Sequence, residues 1–146
     1  MTKAIQLVLT ATVVTLAACG SSGPSQSKAD FVRQADAVCK TDNAQLAALI
    51  SHVGSHPTLS EVRGIYTSTV IPLFRKELGS LQALQPPAAD RATVKKLLAD
   101  LSSGVGQLEA GVRDAKTLAG LERIATPGLK RAGDDARAYG MKVCGT

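Results

Sequence analysis

Val94, Leu97, Leu98, Leu101, Val105, Leu108 and Val112 recur at steps of three and four, a spacing that gathers apolar side chains on one face of an α-helix and scatters them in a strand. A helix over about Asp90–Ala115 is predicted, amphipathic along its whole length. Gly104, Gly106 and Gly111 interrupt it, each weakening a helix by up to about 1 kcal/mol relative to Ala. Either close helix approach or local mobility accounts for three glycines in such a place.

Three further helices are expected. Ser27 and Asp30 have the spacing of a capping box and open a helix over about 28–53. Its apolar face holds Phe31, Ala35, Val38, Cys39, Leu46, Leu49, Ile50 and Val53. Asp42 falls inside that face, where a carboxylate is either a functional acid or, more commonly, a group reaching water or a basic neighbour. Gly54 and Pro57 end the helix. Thr58 and Glu61 form a second capping box, from which a helix runs to about Leu84. Its face carries Leu59, Val62, Tyr66, Val70, Leu73, Leu81 and Leu84, and Pro72 within it removes one backbone donor and should kink it. Pro86 and Pro87 then enforce a turn. The last helical region, about Leu118–Tyr139, keeps one apolar register through Thr126 and Pro127, as a kinked helix or as two abutting ones. Gly140 is its expected left-handed terminator, leaving Met141–Thr146 as a tail. Alternating β-branched runs are absent outside the first 18 residues. The predicted fold is therefore all-α, an antiparallel up-down four-helix bundle with kinks at Pro72 and near Pro127.

The N-terminus follows another rule. After Lys3, an uncharged apolar run from Ala4 to Ala18 spans 15 residues, short of the roughly 20 that cross a bilayer as a helix, so it is read as a signal peptide over 1–18. It closes in Leu16, Ala17, Ala18, Cys19 and Gly20, five adjacent positions that resemble the lipobox of bacterial lipoproteins. That resemblance implies cleavage before Cys19, lipid on its thiol, and attachment to the extracytoplasmic face of the cell membrane. Residues 20–27, small and polar, form a tether that reaches at most about 26–29 Å when extended. The domain assigned to 28–146 would sit close to the membrane.

Cleavage leaves 128 of the 146 residues, enough for one domain burying about two-thirds of its unfolded surface. Of 17 basic residues, 16 remain against 12 acidic ones, a mild positive balance that suits an anionic membrane surface. The basic residues are spread along the chain, and two Phe, two Tyr and no Trp offer little for base stacking. Nucleic acid is not an expected partner.

With Cys19 lipidated, Cys39 and Cys144 are the only intramolecular pair in an exported chain where oxidation is permitted. Free thiols or an intermolecular bridge are the alternatives. In an up-down bundle the end of the fourth helix lies beside the start of the first, which favours one disulfide if the tail beyond Gly140 folds back over that helix.

His52 and His56, the only histidines, have a spacing that could present two imidazoles to one metal. Two ligands fall short of a zinc site, however, and Gly54 and Pro57 separate them from a shared helix face. Ser51 and Ser55 lack a nucleophile-elbow context. No pair among the twelve acids stands out for glycosidic chemistry. No catalytic residue, metal or cofactor is assigned, and an enzyme is not expected.

Asp30, Phe31, Ala35, Asp36, Val38 and Cys39 in the first helix, Leu84, Pro86, Pro87 and Ala88 in the turn, and Tyr139, Gly140, Cys144 and Gly145 at the end together resemble small exported lipoproteins of high-GC Gram-positive bacteria, the actinobacteria. The resemblance implies a helical envelope lipoprotein with paired terminal cysteines, and brings no catalytic or binding residues. Two functions are then in contention: a non-enzymatic module that binds a protein or envelope component near the membrane, and a carrier of a small apolar or lipidic ligand within the helices.

Overall fold

The computed structural model describes residues 26–124 and 126–145. The signal peptide, Cys19 and the tether as far as Ser25 lie outside the described residues. The described chain is all-helical, without a strand.

Helix α1, Lys28–Ser51, starts where Ser27 accepts the Asp30 amide at 3.1 Å. Helix α2, Leu59–Ile65, starts with the full capping box: the Thr58 hydroxyl accepts the Glu61 amide, and the Glu61 carboxylate accepts the Thr58 amide at 2.7 Å. The disturbance expected at Pro72 takes a specific form, a π-helical stretch over Tyr66–Val70, before α3 resumes at Ile71–Ala83. The Ile71 amide reaches back five residues to the Tyr66 carbonyl. Because Pro72 has no N–H to offer, the backbone widens by one residue just ahead of it, the usual form of a π-bulge.

After Pro86 and Pro87, a 3₁₀ turn over Ala88–Asp90 leads into α4, Arg91–Asp114. The last region divides in two: α5, Leu118–Glu122, and α6, Pro127–Tyr139, with Pro127 in the first turn where a missing N–H costs nothing. Gly140 closes α6 at φ 108°, in the left-handed region.

Helix α4 is the hub. It packs against α3 on one side and most extensively against α6 on the other, while α1 lies on α3 and α2 touches α5. The α4–α6 seam is unusually close because glycines face one another across it. A Cβ at Gly104 would collide with the backbone and side chain of Leu129, and one at Gly128 would come within 2.7 Å of Gly104 Cα and 2.8 Å of the Asp100 carbonyl. Outside this crossing, Arg131 and Lys96 bridge to Asp100, at 2.7 and 3.1 Å, and Lys96 also meets Asp135. At the far end of α4, Arg63 of α2 donates to the carbonyls of Val112 and Ala115, groups that a helix C-terminus otherwise leaves without partners.

The choice left open for the glycines of α4 is thus decided residue by residue, and a Cβ at Gly111 would come within 2.5 Å of the Ile124 side chain. Gly104 marks close approach, whereas a Cβ at Gly106 would meet nothing within 4 Å. Gly104→Ala should lower the free energy of unfolding by about 1–3 kcal/mol through overpacking, and Gly106→Ala should raise it by up to about 1 kcal/mol. Urea unfolding of the two variants beside the parent checks both signs.

Candidate functional site

The apolar interior divides into two clusters. One is built on Phe31, Ala35, Leu81, Leu97, Leu101, Ala136 and Tyr139, the other on Val70, Ile71, Leu108, Val112 and Leu121. Phe74 packs against both. With so few aromatic side chains, Leu, Val and Ala do not fill the space between the helices. Two adjoining cavities result, each partly open to solvent.

The inner cavity, about 410 Å³, lies between α1, α3, α4, α6 and the tail, against Cys39, Leu97, Leu101 and Ala132. The second, about 420 Å³, is walled by Leu46, Leu49, Ile65, Tyr66, Leu108 and Ile124. Phe74, Thr126 and Leu129 border both. Ile50, 62% exposed, stands at the rim of the second. The second is walled mainly by apolar side chains and the inner one by a mixture of apolar and polar ones, and volumes of this size fall in the range of small-molecule sites.

One wall of the inner cavity is made by the tail. Asp36 of α1 accepts three successive backbone amides, from Lys142 at 3.0 Å, Val143 at 2.9 Å and Cys144 at 3.2 Å. Burial pushes the Asp36 carboxyl up, but these three amides and the Lys142 charge outweigh it and hold it below its ordinary value. Beside this clamp, Cys39 and Cys144 are joined by a disulfide, with Cα atoms 5.1 Å apart and 105 positions between them. The expected fold-back of the tail is therefore observed. Arg137 grips it from α6 by donating to the Gly145 carbonyl. Below, Tyr139 meets Phe31 edge-to-face at 6.0 Å and donates to Asp90 at 2.6 Å, and Lys28 lies 4.3 Å over its ring.

Asp42, the carboxylate within the α1 face, is buried at 3% exposure and pairs with Lys76 at 3.0 Å, so the reading of a group satisfied by a basic neighbour holds. The residue that sequence reasoning missed is Glu77. Its Oε1 lies 3.5 Å from Cys39 Sγ, and the side chain lines the inner cavity. Burial, and secondarily the charge of Asp42, pushes its carboxyl up to about 7. A signal existed, since Val70, Phe74, Glu77 and Leu81 follow the apolar steps of four, three and four, and Glu77 fills the gap in the register between Leu73 and Leu81.

The histidines are not brought together. His52 caps the end of α1 with Nδ1 2.7 Å from the Ala48 carbonyl, while His56 lies in the following loop beside Ser55 and Pro57. Among the described residues no three His, Cys, Asp or Glu side chains form a metal-sized cluster, and no helix is long and apolar enough to cross a membrane. Comparison with protein-family models, curated proteins and solved structures found no match to this chain.

Two stability measurements follow from this geometry. A charged acceptor of three amides contributes about 1.5–3 kcal/mol, so Asp36→Ala should cost about that much at pH 7. Because its folded-state pKa is depressed, the contribution is present above the ordinary Asp value of 3.8 and lost as pH falls through the lower folded value. Urea titrations from pH 7 down to 3 should show the gap between parent and variant closing. Glu77 has the opposite sign. Its raised pKa favours folding below the ordinary Glu value of 4.5, and this is lost as pH rises through about 7. Glu77→Gln should therefore melt higher than the parent at pH 8.5, with the two converging near pH 5.

Proposed function

We propose that this chain is a membrane-tethered, non-enzymatic binding module of the cell envelope that carries a small apolar molecule between its helices. The observation that carries the reading is the pair of adjoining aliphatic cavities with Phe74, Thr126 and Leu129 as their common border. Both spaces open to solvent, so a small molecule can enter them from the outside, and their volumes lie in the range of small-molecule sites. The polar groups that line the inner cavity suit holding rather than chemistry: one carboxyl, the Asn43 amide, and the cations Lys130 and Arg137, both paired to Asp134.

The finer architecture belongs to the same proposal. Reading α1, the α2–α3 pair, α4 and the α5–α6 pair as four arms in up-down order brings the tail back beside α1, whose first half receives it through Asp36 and Cys39. Lipid on Cys19 would hold the bundle within a short tether's length of the membrane surface, where a lipidic ligand is at hand.

Protein isolated from its native envelope and examined by native mass spectrometry should retain a bound small molecule, while a clean apo mass favours the rival module that binds a protein partner. Cys19→Ser should release the chain from membranes or stall its processing. A processed and firmly membrane-bound Cys19→Ser protein would overturn the tethering.

A further inference from the structure

The inner cavity has one charged group with no ion-pair partner. Lys130 Nζ lies 2.7 Å from Asp134. Arg137 is held by Asp134 and the Gly145 carbonyl. Asp42, which faces Glu77 from α1, is engaged by Lys76 of α3. Helix α4 offers only Leu97 and Leu101 to this space. The near neighbour of the Glu77 carboxyl is the Cys39 sulfur, and a disulfide sulfur has no proton to donate. Among the described residues, then, no protein N–H or O–H is seen to donate to this half-buried carboxyl, which stands in a wall of mixed apolar and polar side chains. Glu77 is half-buried, so water supplies its donors in the free protein, and a ligand that brings a donor of its own takes the place of that water.

We infer that the occupant is a single-chain amphiphile whose head donates hydrogen bonds, an alcohol or an amine, seated against Glu77 and Asn43 with its chain running past Phe74 into the second cavity. This rests on the carrier reading and sharpens it. A carboxylate or phosphate head is disfavoured, because it would face Glu77 and Asp42 while both cavity-lining cations are already paired. The Phe74 border explains the shape, since the two compartments adjoin and only the inner one has a polar end.

The test is calorimetric titration of the intact, oxidised chain with three probes of equal chain length below their micellar concentrations: dodecylamine, 1-dodecanol and laurate. At pH 8 the amine and the alcohol should each bind at least about tenfold more tightly than laurate, the ratio that one charge-assisted hydrogen bond supplies. Glu77→Gln should level the preference of amine over alcohol. The parent protein provides the same comparison without a variant. Between pH 8 and pH 5 dodecylamine keeps its proton while Glu77 gains one, so the amine-to-alcohol ratio should fall. Equal binding of all three probes, insensitive to pH and to Glu77→Gln, would overturn the assignment of the head group and leave the apolar cavity standing. Tighter binding of laurate would do the same. Failure of every probe to bind would overturn the carrier reading itself.

Discussion

The last residues of the chain are held to the first helix by a carboxylate and a covalent bond acting at one place. Asp36 fixes three consecutive tail amides, and this sets the direction in which Cys144 presents its sulfur to Cys39. The two devices differ physically. The amide clamp is local and depends on the ionised carboxylate. The disulfide acts mainly on the unfolded chain, where closing a loop of about 100 residues is worth about 4.7 kcal/mol in the chain-entropy model. Against the 5–15 kcal/mol that separates a typical domain from its unfolded state, that is a large share. It lets the fold tolerate interior space that closer packing would have used for stability.

How that space arises follows from the α4–α6 crossing. Gly104 and Gly128 bring the two backbones together until no side chain fits between them, and the ion pairs of Asp100 with Arg131 and Lys96 lie along the seam. Helix α6 is thereby committed to α4. The opposite side, where α1 and α3 meet the pair, is filled mainly by aliphatic side chains, with Phe31, Phe74 and Tyr139 as its aromatic members. Tight packing in one seam and loose packing in the other are two aspects of the same composition: small residues where backbones touch, and mainly aliphatic ones where they do not.

Much of the helical framework was legible because its signals are local. The caps at Ser27 and Thr58, the three-and-four register of α4 and the terminator Gly140 each depend on residues within a few positions of one another, and each is found where the sequence put it. The break near Pro127 was legible only as a choice, and the structure takes the two-helix option. At Pro72 the disturbance was foreseen and its π-helical form was not, since the pattern marks a lost donor but not how neighbouring carbonyls are reassigned. Asp36 belonged to the set of residues that suggested the lipoprotein resemblance, yet its partners lie 106 to 108 positions away, beyond any periodicity argument. Glu77 was passed over because a carboxylate on a helix is ordinarily a solvated one.

Glu77 and the staple are coupled through Cys39. Burial, with the charge of Asp42 second, makes the charged form of Glu77 costly, and on stability grounds a leucine in the same register would serve better. Its presence in a largely apolar wall fits a position used for recognition, because polar groups set orientation in apolar sites while the apolar wall supplies affinity. The staple fixes Cys39 and the tail on one side of the carboxyl, so Glu77 is half-buried there and not fully solvated. Opening the disulfide would loosen the tail and admit solvent, which removes the main cause of the raised pKa. The strength of the tail attachment and the polarity of the cavity's inner end are therefore one property of the fold.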